Sequence, residues 1–197
     1  MKLLYTKRSP YARKVRILAM EKNLDLLMVE EDLTKKTPFL LKVNPLGKVP
    51  ALILDEKQTI FDSPVICEYL DGLNNKPTLI PKFGPRRLEV LRWEAIADGL
   101  IDVSLAAYME KIRHPNDFNV SFVSAQEETI GRTLSYMDHH VGELNEISLA
   151  PIAVVAGLGY TQFRLPHLVS AIKYPNLMAW FAEFSKRPSV QSTVPVM

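Results

Sequence analysis

The chain changes character once, between Gly72 and Pro85. Ahead of that stretch, strand-like and helix-like segments alternate; beyond it the apolar residues keep helical spacing and no strand signal appears. Lys2 to Tyr5 reads as a strand. Pro10 to Lys22 reads as a helix, with Pro10 suited to a first turn and Val15, Leu18, Ala19 and Lys22 on one i, i+3, i+4 face. Leu26 to Glu30 is a second strand and Thr34 to Lys42 a short helix or turn. Val49 to Leu54 and Thr59 to Phe61 flank the polar turn Asp55-Glu56-Lys57-Gln58 as a hairpin. Pro64 to Asp71 opens a further helix with Ser63 as its N-cap candidate. The order βαβαββα in so short a span is that of a small α/β layer fold.

Gly72 to Pro85 carries Asn74-Asn75, Pro77, Pro81, Gly84 and Pro85 and reads as a linker. Four helices are expected after it: Arg86 to about Lys111, ended at Arg113-His114-Pro115-Asn116-Asp117; Ser124 to about Leu144; the strongly apolar Ser148 to Phe163; and Pro175 to Lys186, stopped before Pro188. The expected organisation is an α/β domain over 1–75, a linker over 76–85 and an all-α domain over 86–197.

Composition excludes several functions. With 197 residues, 47% apolar and 23% charged, the chain is an ordinary globular protein. A formal net charge of +2 gives no general polyanion-binding surface, so no nucleic-acid partner is expected. No apolar run approaches the roughly 20 residues of a membrane span, and Met1-Lys2-Leu3-Leu4-Tyr5 is strand-like, without a signal-peptide core. The single cysteine, Cys67, excludes an internal disulfide, fits a reducing cytoplasm, and reads as a small buried hydrophobe. No metal site is expected: His139 and His140 diverge by about 100° on a helix and make a poor pair. They, with His114 and His167, read as surface or structural residues.

Three segments carry candidate chemistry. Ser9-Pro10-Tyr11-Ala12 lies where a strand ends and a helix begins. Helix-start N–H groups and the dipole favour negative charge there, and a hydroxyl at that place can donate to a thiolate. Lowering a thiol pKa by about two units needs about 2.7 kcal/mol, within reach of one helix end and one charge-assisted hydrogen bond. Taken alone, Ser9 reads first as a plain helix cap; the two segments that follow reverse that weighting. Gly47-Lys48-Val49-Pro50 places an X–Pro bond ahead of a strand, a position open to an ordinary first-residue proline or to a cis bond beside a peptide-pairing edge. Asp62-Ser63, just before a helix, reads as a helix start; a carboxylate beside a hydroxyl and helix N–H groups also fits a zwitterionic amino-acid end.

Together these segments carry a family resemblance that spans nearly the whole chain. Ser9-Pro10-Tyr11-Ala12 resembles the Cys-Pro-Tyr-Cys of glutaredoxins with both cysteines replaced. The longer run Ser9 to Arg16, ending Arg13-Lys14-Val15-Arg16, resembles the start of zeta-like and bacterial glutathione transferases. Asn44-Pro45-Leu46-Gly47-Lys48-Val49-Pro50 is similar to the matching stretch of that family, and Asp62-Ser63 stands where its members usually carry Glu-Ser or Gln-Ser. The resemblance implies a thioredoxin-like N-terminal domain followed by an all-α C-terminal domain, a cis Val49–Pro50 bond, a homodimer, and glutathione as co-substrate without a metal.

It also implies roles. Ser9 would polarise the glutathione sulfur. Val49, flanked by Lys48 and Pro50, would pair with the cysteinyl backbone, and Asp62 and Ser63 would hold the γ-glutamyl end. Lys36 would reach the glycyl carboxylate, and Tyr11 would border both glutathione and a second-substrate pocket with Tyr108 and Ile112. Tyr5, at a strand end where some classes place their thiol-activating hydroxyl, reads here as a packing residue, and Asp98 is a candidate contributor from a second subunit. One departure concerns the core helix. Ser148-Leu149-Ala150-Pro151-Ile152 resembles the family's Ser-x-Ala-Asp-Ile opening, in which serine and aspartate form a capping box. With Pro151 in the aspartate's place the reciprocal bond is lost, at about 1 kcal/mol. The implied activity is attack of the glutathione thiolate on a small electrophile. The alternatives are a non-catalytic interaction protein on the same fold, as in stringent starvation protein A, and a glutathione-dependent isomerase. A thiol–disulfide oxidoreductase is disfavoured because positions 9 and 12 lack cysteines.

Overall fold

Leu3 and Leu4 are neighbours on β1 (Lys2–Tyr5), project to opposite faces, and are both fully buried. A strand in that condition needs a layer on each side. On one side α2 (Pro38–Val43) delivers Leu40 and Val43 to a cluster with Leu4, Val49 and Ala51. The other layer is α1 (Pro10–Glu21) packed on α3 (Ser63–Gly72). The sheet has the order β2-β1-β3-β4, with β2 at Leu27–Glu30, β3 at Ala51–Ile53 and β4 at Thr59–Ile60. β1 and β2 are parallel, whereas β3 runs antiparallel to β1 and to β4. This is the thioredoxin-like layer expected from the sequence.

These features come from a computed structural model that describes every residue except Lys57, Asn75 and Met197. Lys57 of the expected hairpin turn and Asn75 of the expected linker therefore lie outside the described residues. The chain divides into two compact units: Met1–Arg87 with Pro188–Met197, and Leu88–Arg187. A helical domain running unbroken to the C-terminus was the expectation; instead the last residues group with the first unit. Arg13, buried on α1, explains this. Its Nε donates to Thr193 Oγ1 at 3.4 Å and its Nη2 to the Val190 carbonyl at 3.3 Å. Ser189 at the start of the short helix α8 (Pro188–Gln191) donates to Glu21 at the other end of α1. Burial lowers the Arg13 pKa to about 10, with the Arg16 charge adding to the effect, and the group stays charged at neutral pH.

A second buried cation fixes the far end of the same unit. Lys22 Nζ donates to Asp71 Oδ1 and to the Asp71 carbonyl, both at 2.9 Å, and to the Asn74 and Pro77 carbonyls. Asp71 in turn accepts the N–H groups of Leu79 and Ile80 at 2.9 Å. Lys22 is thus no ordinary member of an apolar helix face. Its ammonium is saturated by oxygen, and it ties the end of α1 to α3 and to the segment that follows.

In the second unit, α4 (Pro85–Arg113), α5 (Val120–His140), α6 (Leu149–Arg164) and α7 (Pro175–Phe184) form the helical layer. α5 starts earlier than its periodicity suggests because Asn119 Oδ1 accepts the Phe122 N–H at 3.0 Å and caps it. α6 is its core: every residue from Leu149 to Thr161 is buried. A side chain at Gly157 would meet the Ala97 carbonyl at 3.0 Å, so this glycine permits the close approach of α6 to α4. Asp138 of α5 caps α7 from outside by accepting the Leu177 N–H at 2.8 Å. Among the described residues, no helix is long and apolar enough to cross a membrane.

Candidate functional site

The sheet register brings the three candidate segments to one end of the first unit. In the β1–β3 ladder Leu4 pairs with Ala51, so Pro50 comes level with Tyr5 at the end of β1 and Val49 lies past it, beside the stretch that leads to Ser9. In the β3–β4 ladder Leu52 pairs with Ile60, which places Phe61 and Asp62 at that same end as the chain leaves β4. Antiparallel pairing of β3 with both neighbours therefore suffices to gather residues from three separate parts of the sequence.

Ser9 is the N-cap of α1, with extended backbone (φ −78°, ψ 118°), and its Oγ accepts the Ala12 N–H at 3.1 Å. The cap and the thiol-directed reading of this serine are compatible. The oxygen is engaged as acceptor, while the hydroxyl hydrogen has no acceptor among the described residues. Ser9 is half-buried, so that hydrogen is open to a ligand. Tyr11, at the second position of α1, is half-buried as well. Tyr5 is held elsewhere: the Arg16 guanidinium lies 5.0 Å from its ring centroid.

Val49 is 7% exposed, and the Val49–Pro50 bond is cis, as expected. What the sequence reading missed is the residue that shapes this loop. Asn44, buried at the end of α2, donates from Nδ2 to the Lys48 carbonyl at 2.9 Å and accepts the Leu46 N–H on Oδ1 at 3.0 Å. Its own carbonyl accepts the Gly47 N–H at 2.8 Å. One side chain thus spans the loop that carries Lys48 and Val49. The signal was present in Asn44-Pro45-x-Gly47, since an asparagine ahead of Pro and Gly is a turn former. Gly47 takes a left-handed φ of +58°, and a side chain there would meet Lys36 Nζ at 3.0 Å. The exposed Lys36 therefore brings its ammonium to this loop, while Lys48 is itself exposed.

At α3 the expected cap shifts by one residue. Asp62 occupies the N-cap position and Ser63 is the first helical residue, buried at 1% exposure. Pro64 follows inside the first turn, and the chain enters the helix already at Ser63. Asp62 makes no side-chain cap bond and is exposed, which leaves its carboxylate available to a cationic group.

Tyr108 and Ile112 lie in the last turns of α4 in the second unit. Ile112 is exposed, and the half-buried Tyr108 accepts a hydrogen bond from Arg164 Nη1 at 3.1 Å. Asp98 sits half-buried farther back on α4, and Cys67 is buried on α3. Among the described residues no group of three or more His, Cys, Asp or Glu side chains could hold a metal ion.

The model of the glutathione S-transferase N-terminal domain matches residues 8–73, which include all three segments. The GST-like protein YibF of Escherichia coli K12 is 32% identical, with 99% of this chain and 98% of that protein aligned. A crystal structure of a glutathione S-transferase from Methylobacillus flagellatus KT, with glutathione bound, superposes with a TM-score of 0.93 at 41% identity over 99% of each chain. A glutathione transferase family member from Pseudomonas fluorescens Pf-5, with bound S-(propanoic acid)-glutathione, gives 0.91 at 36% identity over 100% of each. A likeness sustained over the full length of both sequence and fold makes this chain a member of the glutathione S-transferase family.

Proposed function

We propose that this protein binds glutathione and uses its thiolate against a small electrophile. In this reading the Ser9 hydroxyl donates to the sulfur while its oxygen stays locked by the Ala12 N–H. The helix start supplies the favourable potential, and the bound thiol ionises more readily than a free one. Val49 presents its backbone edge to the cysteinyl residue, with Lys48 and Pro50 on either side. Asp62 takes the γ-glutamyl ammonium, Ser63 and the start of α3 take its carboxylate, and Lys36 takes the glycyl carboxylate. The thiolate then forms a C–S bond to an electrophilic carbon; the carbon either releases its leaving group as an anion or, in a conjugate addition, gains a proton at the neighbouring atom. Tyr11, Tyr108 and Ile112 serve the second substrate. The working protein is a cytoplasmic homodimer.

The observation that carries this reading is the unused hydroxyl hydrogen of Ser9 at the helix start, at the sheet end where the cis Val49–Pro50 loop and Asp62–Ser63 also emerge. Bound glutathione in the Methylobacillus flagellatus and Pseudomonas fluorescens proteins supports it. Calorimetric titration with glutathione tests it, on the wild type and on Ser9→Ala. Saturable binding with an ultraviolet thiolate signal that Ser9→Ala loses is the expected result. No binding at millimolar glutathione would overturn it and favour a non-catalytic protein on the same fold.

A further inference from the structure

α5 carries a polar stripe along an open groove. Ser124, Glu128, Gly131, Arg132 and Ser135 keep helical spacing on one face and, with Lys173 from the segment ahead of α7, line a space of about 740 Å³. All of these residues belong to the second unit, and the volume is that of a small-molecule site. Gly131 leaves room at the middle. A side chain there would stand 3.9 Å from Lys173 Nζ and from the Tyr174 hydroxyl. Tyr174 is buried; its hydroxyl donates to the Gly131 carbonyl at 3.5 Å and its N–H to the Ser170 carbonyl at 2.9 Å. The Lys173 ammonium lies 5.2 Å from the centroid of that ring. The ring and the bare helix turn thus hold this cation against the groove rather than out in water.

The charges along the stripe are split. Glu128 and Arg132 stand one turn apart, the spacing at which a carboxylate and a guanidinium usually meet. Here the pair stays open, and Arg132 Nη2 donates to Thr129 Oγ1 at 2.8 Å instead. Among the described residues no carboxylate pairs with Arg132 or Lys173, and no cation pairs with Glu128. Glu127, on the same groove, shows the contrast. Its Oε1 lies 2.9 Å from Lys111 Nζ and 3.5 Å from His167 Nε2, so its charge is met inside the unit. The groove therefore has one spare negative group and, about 6 Å farther along the helix, two spare positive ones. Ser135 Oγ donates to the Gly131 carbonyl at 2.9 Å and keeps its lone pairs for a donor.

We propose that this groove binds a small zwitterion of dipeptide size, its carboxylate at Arg132 and Lys173 and its ammonium at Glu128. An extended dipeptide sets its charged ends about 7 Å apart, which matches the rise between those side chains. A carboxylate takes guanidinium hydrogens side by side, and the ammonium of Lys173 adds a point charge. A plain anion would face Glu128 unmet, and a plain cation would face Arg132 and Lys173. Opposite charges at a set spacing select a ligand that carries both. The site lies wholly in the helical unit, so the inference goes beyond the glutathione reading and stands without it.

Amide chemical shifts of the isotope-labelled protein, followed during titration with glycylglycine, test this. Saturable shifts are expected at Gly131, Arg132, Ser135 and Lys173, with a millimolar Kd, the strength of two exposed charge contacts. N-acetylglycylglycine lacks the ammonium and glycylglycinamide lacks the carboxylate; each should bind about fivefold more weakly. Glu128→Gln should remove the advantage of glycylglycine over the acetylated form alone, and Lys173→Gln should reduce its advantage over the amide alone. Both side chains are exposed, so neither change endangers the fold. No shift at these four residues up to tens of millimolar would overturn the proposal. So would equal affinity for glycylglycine and either blocked form, or an undiminished preference in Glu128→Gln. Glutathione binding in the first unit with no response along α5 would sink this site and leave the glutathione reading standing.

Discussion

α1 and α6 both begin with a serine at the N-cap position in extended backbone, and the two serines have opposite fates. At α1 the proline is Pro10, the first helical residue, where a missing N–H deprives no hydrogen bond. Ala12, two residues on, keeps its N–H and donates it to Ser9 Oγ. At α6 the proline is Pro151, the third helical residue, the position whose N–H Ser9 accepts in α1 and the capping box requires. Proline has neither that donor nor a carboxylate to send back, so both halves of the capping box are gone. Ser148 Oγ is accordingly buried with no hydrogen-bond partner. The outcome is set by where the proline falls, not by the serine. α6 tolerates the loss because an unbroken buried run holds it in place. α1 keeps its cap, and with it a fixed orientation of the Ser9 side chain.

The comparison is broken most severely where buried polar groups are fully satisfied. Asp71→Ala would leave the Lys22 ammonium buried without its carboxylate and would strand the Leu79 and Ile80 N–H groups. A destabilisation of about 3–5 kcal/mol is expected, read as a fall in urea midpoint; a loss below about 1 kcal/mol would show that backbone carbonyls and water suffice for Lys22. Next in size is Ser9→Ala. Removal of the cap should cost about 1 kcal/mol of stability. Loss of a shift of about two units in the bound thiol's pKa should lower turnover near neutral pH by up to about 100-fold. The direction follows from the lowered pKa: the wild type holds thiolate at pH values where the variant holds thiol, so the deficit should shrink as pH rises. A deficit independent of pH would point to misplacement of glutathione rather than to ionisation.

Much of this was legible in the sequence because local chemistry decided it. Ser9, Pro10, the Gly47 turn and the Asp62-Ser63-Pro64 helix start each state their backbone geometry within a few residues, and the β3 register then assembles them. Arg13, Lys22, Asn44 and Lys173 were not legible in the same way. Their roles depend on partners far along the chain, such as Thr193 for Arg13 and Asp71 for Lys22, or on what is missing around them, as at Lys173. Periodicity counted Lys22 as one more position on a helix face, although its ammonium is fully buried among oxygens. The C-terminal return to α1 was hidden for the same reason: it hangs on Arg13, which sequence alone shows as part of a basic run. At Ser148 the sequence reading saw the missing aspartate but not the missing N–H, although both follow from Pro151.

The smallest effects sharpen that last point. Pro151→Asp restores a donor and a carboxylate at once and should stabilise the protein by about 1 kcal/mol, read as a rise in Tm. A loss instead would show that burying the new carboxylate outweighs the cap, since Pro151 is itself buried. Ser148→Ala should move stability by no more than about 0.5 kcal/mol, because the hydroxyl it deletes bonds to nothing and its burial is already a cost. The same substitution made in the Pro151→Asp background should cost about 1 kcal/mol, because Ser148 then has a partner to lose. The difference between those two values is the coupling of serine to its cap donor. A coupling near zero would mean that Ser148 Oγ finds another partner in solution, and that the contrast with Ser9 lies in burial rather than in the position of a proline.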